Sequence, residues 1–127
     1  MGKHEIKHPD KKVDTGAYSA GVEVDGWVYV SGQGPLDLKT GEIVQGDIET
    51  QTRVTLNHIQ KILAEAGCTM NDVVKCTVHL LNIDHFARFN KTYAEFFTGV
   101  KPARTTVQSV LIGGILVEID AVAKKSV

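Results

Sequence analysis

Cysteine, proline and tryptophan are all scarce in this sequence of 127 residues, with 2, 3 and 1 copies respectively. Cys68 and Cys76 match neither the spacing of a metal knuckle nor a CxxC redox pair, so they read as buried or half-buried free thiols. No run approaches the ~20 continuous apolar residues of a membrane span, and the opening MGKHEIKHPDKK is polar where a secretory signal would carry its apolar core. Charge excess is missing too: 14 Lys and Arg against 15 Asp and Glu leave a formal charge of -1, which supplies no net field for a phosphate backbone. These absences predict a cytoplasmic protein with no membrane and no nucleic-acid partner. What is present, 43% hydrophobic and 23% charged residues with 12 Gly, is ordinary globular composition, and a chain of this length can bury one core without staples.

Residues 1–15 are charged, contain Pro9 and show no period; they read as a mobile arm or a late edge segment, and residues 16–127 as a single domain. Two alternating runs, Gly21 to Val24 and Trp27 to Val30, flank Asp25-Gly26, a hairpin signal because a type I′ turn needs positive φ at both central residues. A second turn at Lys39-Thr40-Gly41 leads to a short strand at Glu42 to Val44. From Asp47 the apolar residues Ile48, Leu56, Ile59, Ile62, Leu63 and Ala66 recur at helical spacing, with Asp47 as N-cap and Gly67 as stop. Val74, Cys76, Val78 and Leu80 alternate with polar residues as in a strand buried on one face. A second helix, capped by Asp84, carries Phe86, Phe89, Tyr93, Phe96 and Phe97 to Gly99. Arg104 to Leu111 and Ile115 to Ala123 then read as two strands meeting at Gly113-Gly114.

The resulting order, ββ(β)αβαββ, is α+β: a mixed sheet whose two helices can cover only one face. The other face is bare or covered by another subunit. On the final strand Val117, Ile119, Ala121 and Ala123 have the character of the helix-packed side. Leu116, Glu118, Asp120 and Val122 share the opposite side, a mixed apolar and ionised face that suits an oligomer interface containing polar pockets.

Chemistry-bearing groups are few. The five histidines, His4, His8, His58, His79 and His85, are scattered over arm, helix, strand and cap and predict no metal site. Ser31-Gly32-Gln33-Gly34 is not a nucleophile elbow, and a lone Gly-x-Gly makes no dinucleotide site. There remain Arg104, its backbone set by Pro102, and Glu118. An arginine fork can hold a carboxylate bidentately and a nearby carboxylate can deprotonate water, but a cross-strand ion pair explains the same two residues. A two-residue turn at Gly113-Gly114 would put Arg104 and Thr106 on the opposite side from Glu118. Cooperation then requires a bulge, a longer turn or a pocket shared between subunits.

Six fragments in order resemble the RidA/YjgF family of reactive-intermediate deaminases: Gly16-Ala17-Tyr18-Ser19, Val30-Ser31-Gly32-Gln33, Lys39-Thr40-Gly41-Glu42, the stretch Phe89 to Phe97, Pro102-Ala103-Arg104, and the stretch Val117 to Ala123. The resemblance spans about Gly16 to Ala123. It implies a chorismate-mutase-like protomer in a homotrimer, with a central barrel and clefts between subunits. It further implies that Arg104 holds a substrate carboxylate, that Glu118 positions water, and that Tyr18, Ser31, Gly32, Phe89, Asn90 and Thr106 line the cleft, with Asp120 structural. The implied reaction is hydrolysis of 2-imino or enamine acids, of the 2-iminobutanoate and 2-iminopropanoate type, to 2-keto acids and ammonia, a detoxification of reactive metabolites that demands no cofactor or metal. A carboxylate-binding regulator without turnover and a specialised aminomuconate-type deaminase are the alternatives. Three departures bear on the cleft: Ala17 and Ala20 replace the proline and glutamine often found beside the family tyrosine, and Thr106 stands where some members carry cysteine. The interval from Arg104 to Glu118 is also one residue short and lacks the usual loop proline.

Overall fold

The computed structural model describes residues 2–126. Six strands form one sheet: β1 (His4–Ile6), β2 (Gly21–Val24), β3 (Trp27–Gln33), β4 (Val73–Leu80), β5 (Ala103–Gln108) and β6 (Val117–Lys124). Two helices accompany them, α1 (Ile48–Glu65) and α2 (Phe86–Ala94). The strand order across the sheet is β1-β2-β3-β6-β4-β5, antiparallel throughout except for the parallel pair β4 and β5.

Local chemistry explains the elements. Asp25 and Gly26 turn the first hairpin with φ of 52° and 81°, and Val24 pairs with Trp27 across it. The Asp47 side chain accepts the Thr50 N–H at 2.8 Å and so satisfies one of the free donors that open α1. Gly67, at φ 79°, carries the chain out of the helix. Leu56, Ile59, Ile62 and Leu63 present one fully buried stripe to the sheet. Val117, Ile119, Ala121 and Ala123 of β6 are buried beneath the same core, while Glu118, Asp120 and Val122 alternate onto the helix-free face and stay half-buried. Arg88 of α2 grips Glu49 of α1 bidentately, with Nε and Nη2 donating at 2.8 and 2.7 Å.

Four expectations need correction. The expected hairpin of the last two strands does not form: β5 lies parallel to β4 at the sheet edge, and β6 inserts between β3 and β4. The crossover through α2 makes the parallel pairing possible, because parallel strands need a long connection. The Ile112–Gly114 turn then redirects the chain across the sheet. Residues 42–44 give a single bridge, Leu36 to Ile43, in place of a strand. Asn82 rather than Asp84 supplies the cap, its side chain accepting the Asp84 N–H at 2.9 Å at the head of a 3-10 turn, Ile83–His85, that leads into α2, and α2 ends at Ala94, short of Gly99. Of the two readings of residues 1–15, the edge segment is the one that forms: His4–Ile6 is β1, paired to β2 at the sheet edge.

That stretch is tied down by a directional relay. The Asp10 N–H donates to His8 Nδ1 at 3.0 Å, which leaves the proton on Nε2. His8 Nε2 therefore donates to His58 Nδ1 at 2.9 Å, and His58 Nε2 donates to the Leu36 carbonyl at 2.6 Å. Burial, followed by the neighbouring His58, lowers the His8 pKa from 6.5 to about 4. Above the ordinary value the ring is neutral whether the chain is folded or not; between it and about 4 only the unfolded chain takes the proton, so stability falls with pH across that window. Urea midpoints should decline on acidification, and His8→Ala, less stable near neutrality, should decline less steeply.

Candidate functional site

The named residues fall into two groups on one protomer. The first lines a cavity of about 590 Å³ that includes Tyr18, Ser31, Gly32 and Glu118. Glu118 emerges from the helix-free face of β6, and the bulge of β3 between Val30 and Gln33 sets Gly32 beside it. A Cβ on Gly32 would stand 2.7 Å from Glu118 Oε2, so only glycine leaves this carboxylate its place. The Ser31 hydroxyl donates to the Ser19 carbonyl at 2.6 Å and anchors the loop carrying Tyr18. The Tyr18 and Thr15 hydroxyls lie 2.6 Å apart, and Lys11 Nζ sits 5.2 Å from the Tyr18 ring centre.

The second group surrounds Arg104 on the edge strand β5. Its Nη1 donates to Asn90 Oδ1 at 2.8 Å. Its guanidinium carbon lies 4.8 Å from the Tyr93 ring centre, 5.5 Å from that of Phe86 and 5.8 Å from that of Phe89. Rings at these distances attract the cation and hold its plane. Phe89 is fully buried and supports the stack from beneath. Thr106, two residues along β5 on the same side, keeps a buried hydroxyl without a partner. Among the described residues no carboxylate pairs with Arg104, so the cross-strand ion pair does not form.

Register decides how the groups relate. Arg104 pairs with Cys76, which pairs with Ala121 on the helix-covered face. Glu118 pairs with His79, which pairs with Val107 on the other face. Arg104 and Glu118 thus project from opposite sides of the sheet, and one protomer does not bring them together.

Several members of these groups escaped the sequence reading. Phe86 and Tyr93 pass for core, although the spacing of 86, 89, 90 and 93 places them on one helix face with Phe89 and Asn90. Leu36, Ile43, Ile112 and Ile115 in the cavity wall come from loops with no period to announce them. His79, beside Glu118 and 2.8 Å from Ser109 Oγ, was visible only as a polar strand position. Among the described residues no group of three His, Cys, Asp or Glu could hold a metal ion, and no helix is long and apolar enough to cross a membrane.

Sheet, crossover and the two side-chain groups define a class: a small α+β domain with an arginine cradled on aromatic rings and a carboxylate set in an apolar cleft. The Endoribonuclease L-PSP family profile matches residues 10–125. A RutC family protein of Pyrococcus horikoshii is 47% identical over 111 residues, 87% of this chain and 88% of that one. A mouse protein named 2-iminobutanoate/2-iminopropanoate deaminase is 40% identical over 109 residues, covering 85% and 81%. The crystal structure of the Rid family protein YyfA from Yersinia pestis superposes with a TM-score of 0.91 at 38% identity, covering 98% of this chain and 100% of that one. The chain belongs to the RidA/YjgF family.

The close approach of Gly32 to Glu118 is directly testable. The atom in the way is the far end of a flexible side chain, so Gly32→Ala should shift the urea midpoint little. It should displace the Glu118 carboxylate, visible in a crystal structure of the variant.

Proposed function

We propose that this protein hydrolyses 2-imino acids and their enamine tautomers to 2-keto acids and ammonia, within the general reactive-intermediate deaminase role its family supports. The observation that carries the reading is Arg104: a guanidinium braced by three rings and by Asn90, with no carboxylate among the described residues to neutralise it. Such a fork suits the planar carboxylate of a small substrate. The name of the mouse relative supports the choice of substrate class.

Arg104 and Glu118 lie on opposite faces, so the proposal requires a second copy: Arg104 of one protomer completes the cleft of its neighbour. A homotrimer with the bare sheet faces turned inward forms the central barrel and seats three such clefts. Tyr18, Ser31 and Gly32 then line the Glu118 side, and Phe89, Asn90 and Thr106 support the Arg104 side. The proposed setting is the cytoplasm, with a small carboxylate as the partner and neither nucleic acid nor membrane.

The chemistry needs little more. The carbon of a protonated C=N bond is already electrophilic. Arg104 fixes the substrate carboxylate, and Glu118 takes a proton from water as its oxygen bonds to that carbon. The resulting carbinolamine takes that proton back from Glu118 on its nitrogen and expels ammonia as its hydroxyl gives up its own proton to the freed Glu118 carboxylate, leaving the keto acid; Glu118 then passes this proton to the departing ammonia, which leaves as ammonium. Neither metal nor organic cofactor enters these steps.

A threonine or serine dehydratase supplying the imine, with early keto-acid formation followed, tests the reading. Wild type should accelerate the appearance of product. Arg104→Ala should lose about tenfold or more of that effect, the scale of hydrogen bonds to a charged group, with its assembly intact. Glu118→Gln should lose about a hundredfold or more, the scale of general acid–base catalysis. Saturable binding of 2-keto acids without acceleration would favour a regulator, and turnover confined to dicarboxylate enamines an aminomuconate-type enzyme.

A further inference from the structure

The cleft beside Glu118 is more apolar than a three- or four-carbon imino acid requires. Leu36, Ile43, Ile112 and Ile115 form its wall together with the Tyr18 ring. Its polar side chains are few: Glu118 itself, the Thr15 hydroxyl already paired with Tyr18, and the Ser31 hydroxyl already committed to the Ser19 carbonyl. Among the described residues of one protomer no lysine or arginine lines it.

The wall is also held in place. Leu36 and Ile43 bridge each other across the turn, with the Asp37 N–H on the Glu42 carbonyl at 2.8 Å and the Val44 N–H on the Pro35 carbonyl at 2.7 Å. The Leu36 carbonyl is the terminus of the histidine relay. Opposite, Gly113 at φ 69° brings the turn carrying Ile112 so close that a Cβ there would stand 3.0 Å from Ile43 Cδ1. Ile112 nevertheless remains 89% exposed, leaving apolar surface at the rim for an apolar group to cover.

We infer that Leu36, Ile43 and Ile112 form a side-chain subsite that selects imino acids with branched or aromatic apolar side chains and rejects those carrying a second carboxylate. The inference rests on the deaminase reading above and deepens it. A methyl side chain leaves the wall uncovered, whereas an isobutyl or benzyl group removes it from water; each methylene in such a pocket is worth about tenfold or more in selectivity. A second carboxylate would lose water beside Glu118, while the neighbour's Arg104 is already taken up by the first carboxylate.

Because the imine carbon is planar, either enantiomer of an amino acid yields the same substrate. Amino-acid oxidases with catalase can therefore generate the imines of alanine, leucine, phenylalanine and aspartate, with semicarbazide trapping whatever the protein does not hydrolyse. Wild type should suppress trapping of the leucine and phenylalanine imines at least about tenfold more effectively than that of alanine, and of the aspartate imine least. Ile43→Ser and the rim substitution Ile112→Ser should each lower the leucine-to-alanine ratio about tenfold. Activity on the alanine imine with no gain from leucine, or equal activity on aspartate, would overturn the subsite and leave the deaminase reading standing. Failure with every imine would overturn both. Ile112→Ser that alters assembly and not the ratio would assign the wall to contact between copies and overturn the subsite.

Discussion

Everything in this fold depends on the alternation of β6. The strand lies between β3 and β4, so each of its side chains is committed to one of two environments. Val117, Ile119, Ala121 and Ala123 seat the helices and are buried; Glu118, Asp120 and Val122 face the side that no helix covers. A register slip of one residue would drive two carboxylates into the core at a cost of several kcal/mol each, so the pairing is strongly specified. The same constraint that makes the core also delivers Glu118 to the cleft.

Strand pairing then separates what the chain order suggests should meet. The crossover through α2 carries β5 to the far side of β4, and the pairing of Arg104 with Cys76 places the arginine over the aromatic face of α2. There the ring stack does for Arg104 what Gly32 does for Glu118: each gives a charged group a position without neutralising it. Glu118 gains its position from an absent Cβ, Arg104 from large apolar surfaces and one amide.

The loops between these elements are less regular but no less determined. The histidine relay ties the N-terminal stretch and the Leu36 turn to α1, and the Leu36–Ile43 bridge stiffens the wall facing the glycine turn at Gly113. Their polar groups are satisfied locally, which lets an apolar wall stand at the surface without unpaired backbone behind it.

Periodicity was enough to read the first hairpin, α1, β4 and the two faces of β6, because each pattern reports a local preference for helix or strand and the side to be buried. Arg104, Glu118 and their companions stood out as candidates because the ordered fragments point to one family. Their arrangement was not legible. Gly113-Gly114 satisfies a tight hairpin and a wide turn equally well, and only the competition among strands for partners sends β6 between β3 and β4. Ile43, Ile112 and the His8 to His58 relay join residues distant in sequence through contacts that carry no local period. Local chemistry along the chain therefore determined the elements and which side chains are candidates for a site, whereas tertiary pairing decided which of them share a face, because sheet order depends on the burial of the whole apolar surface at once.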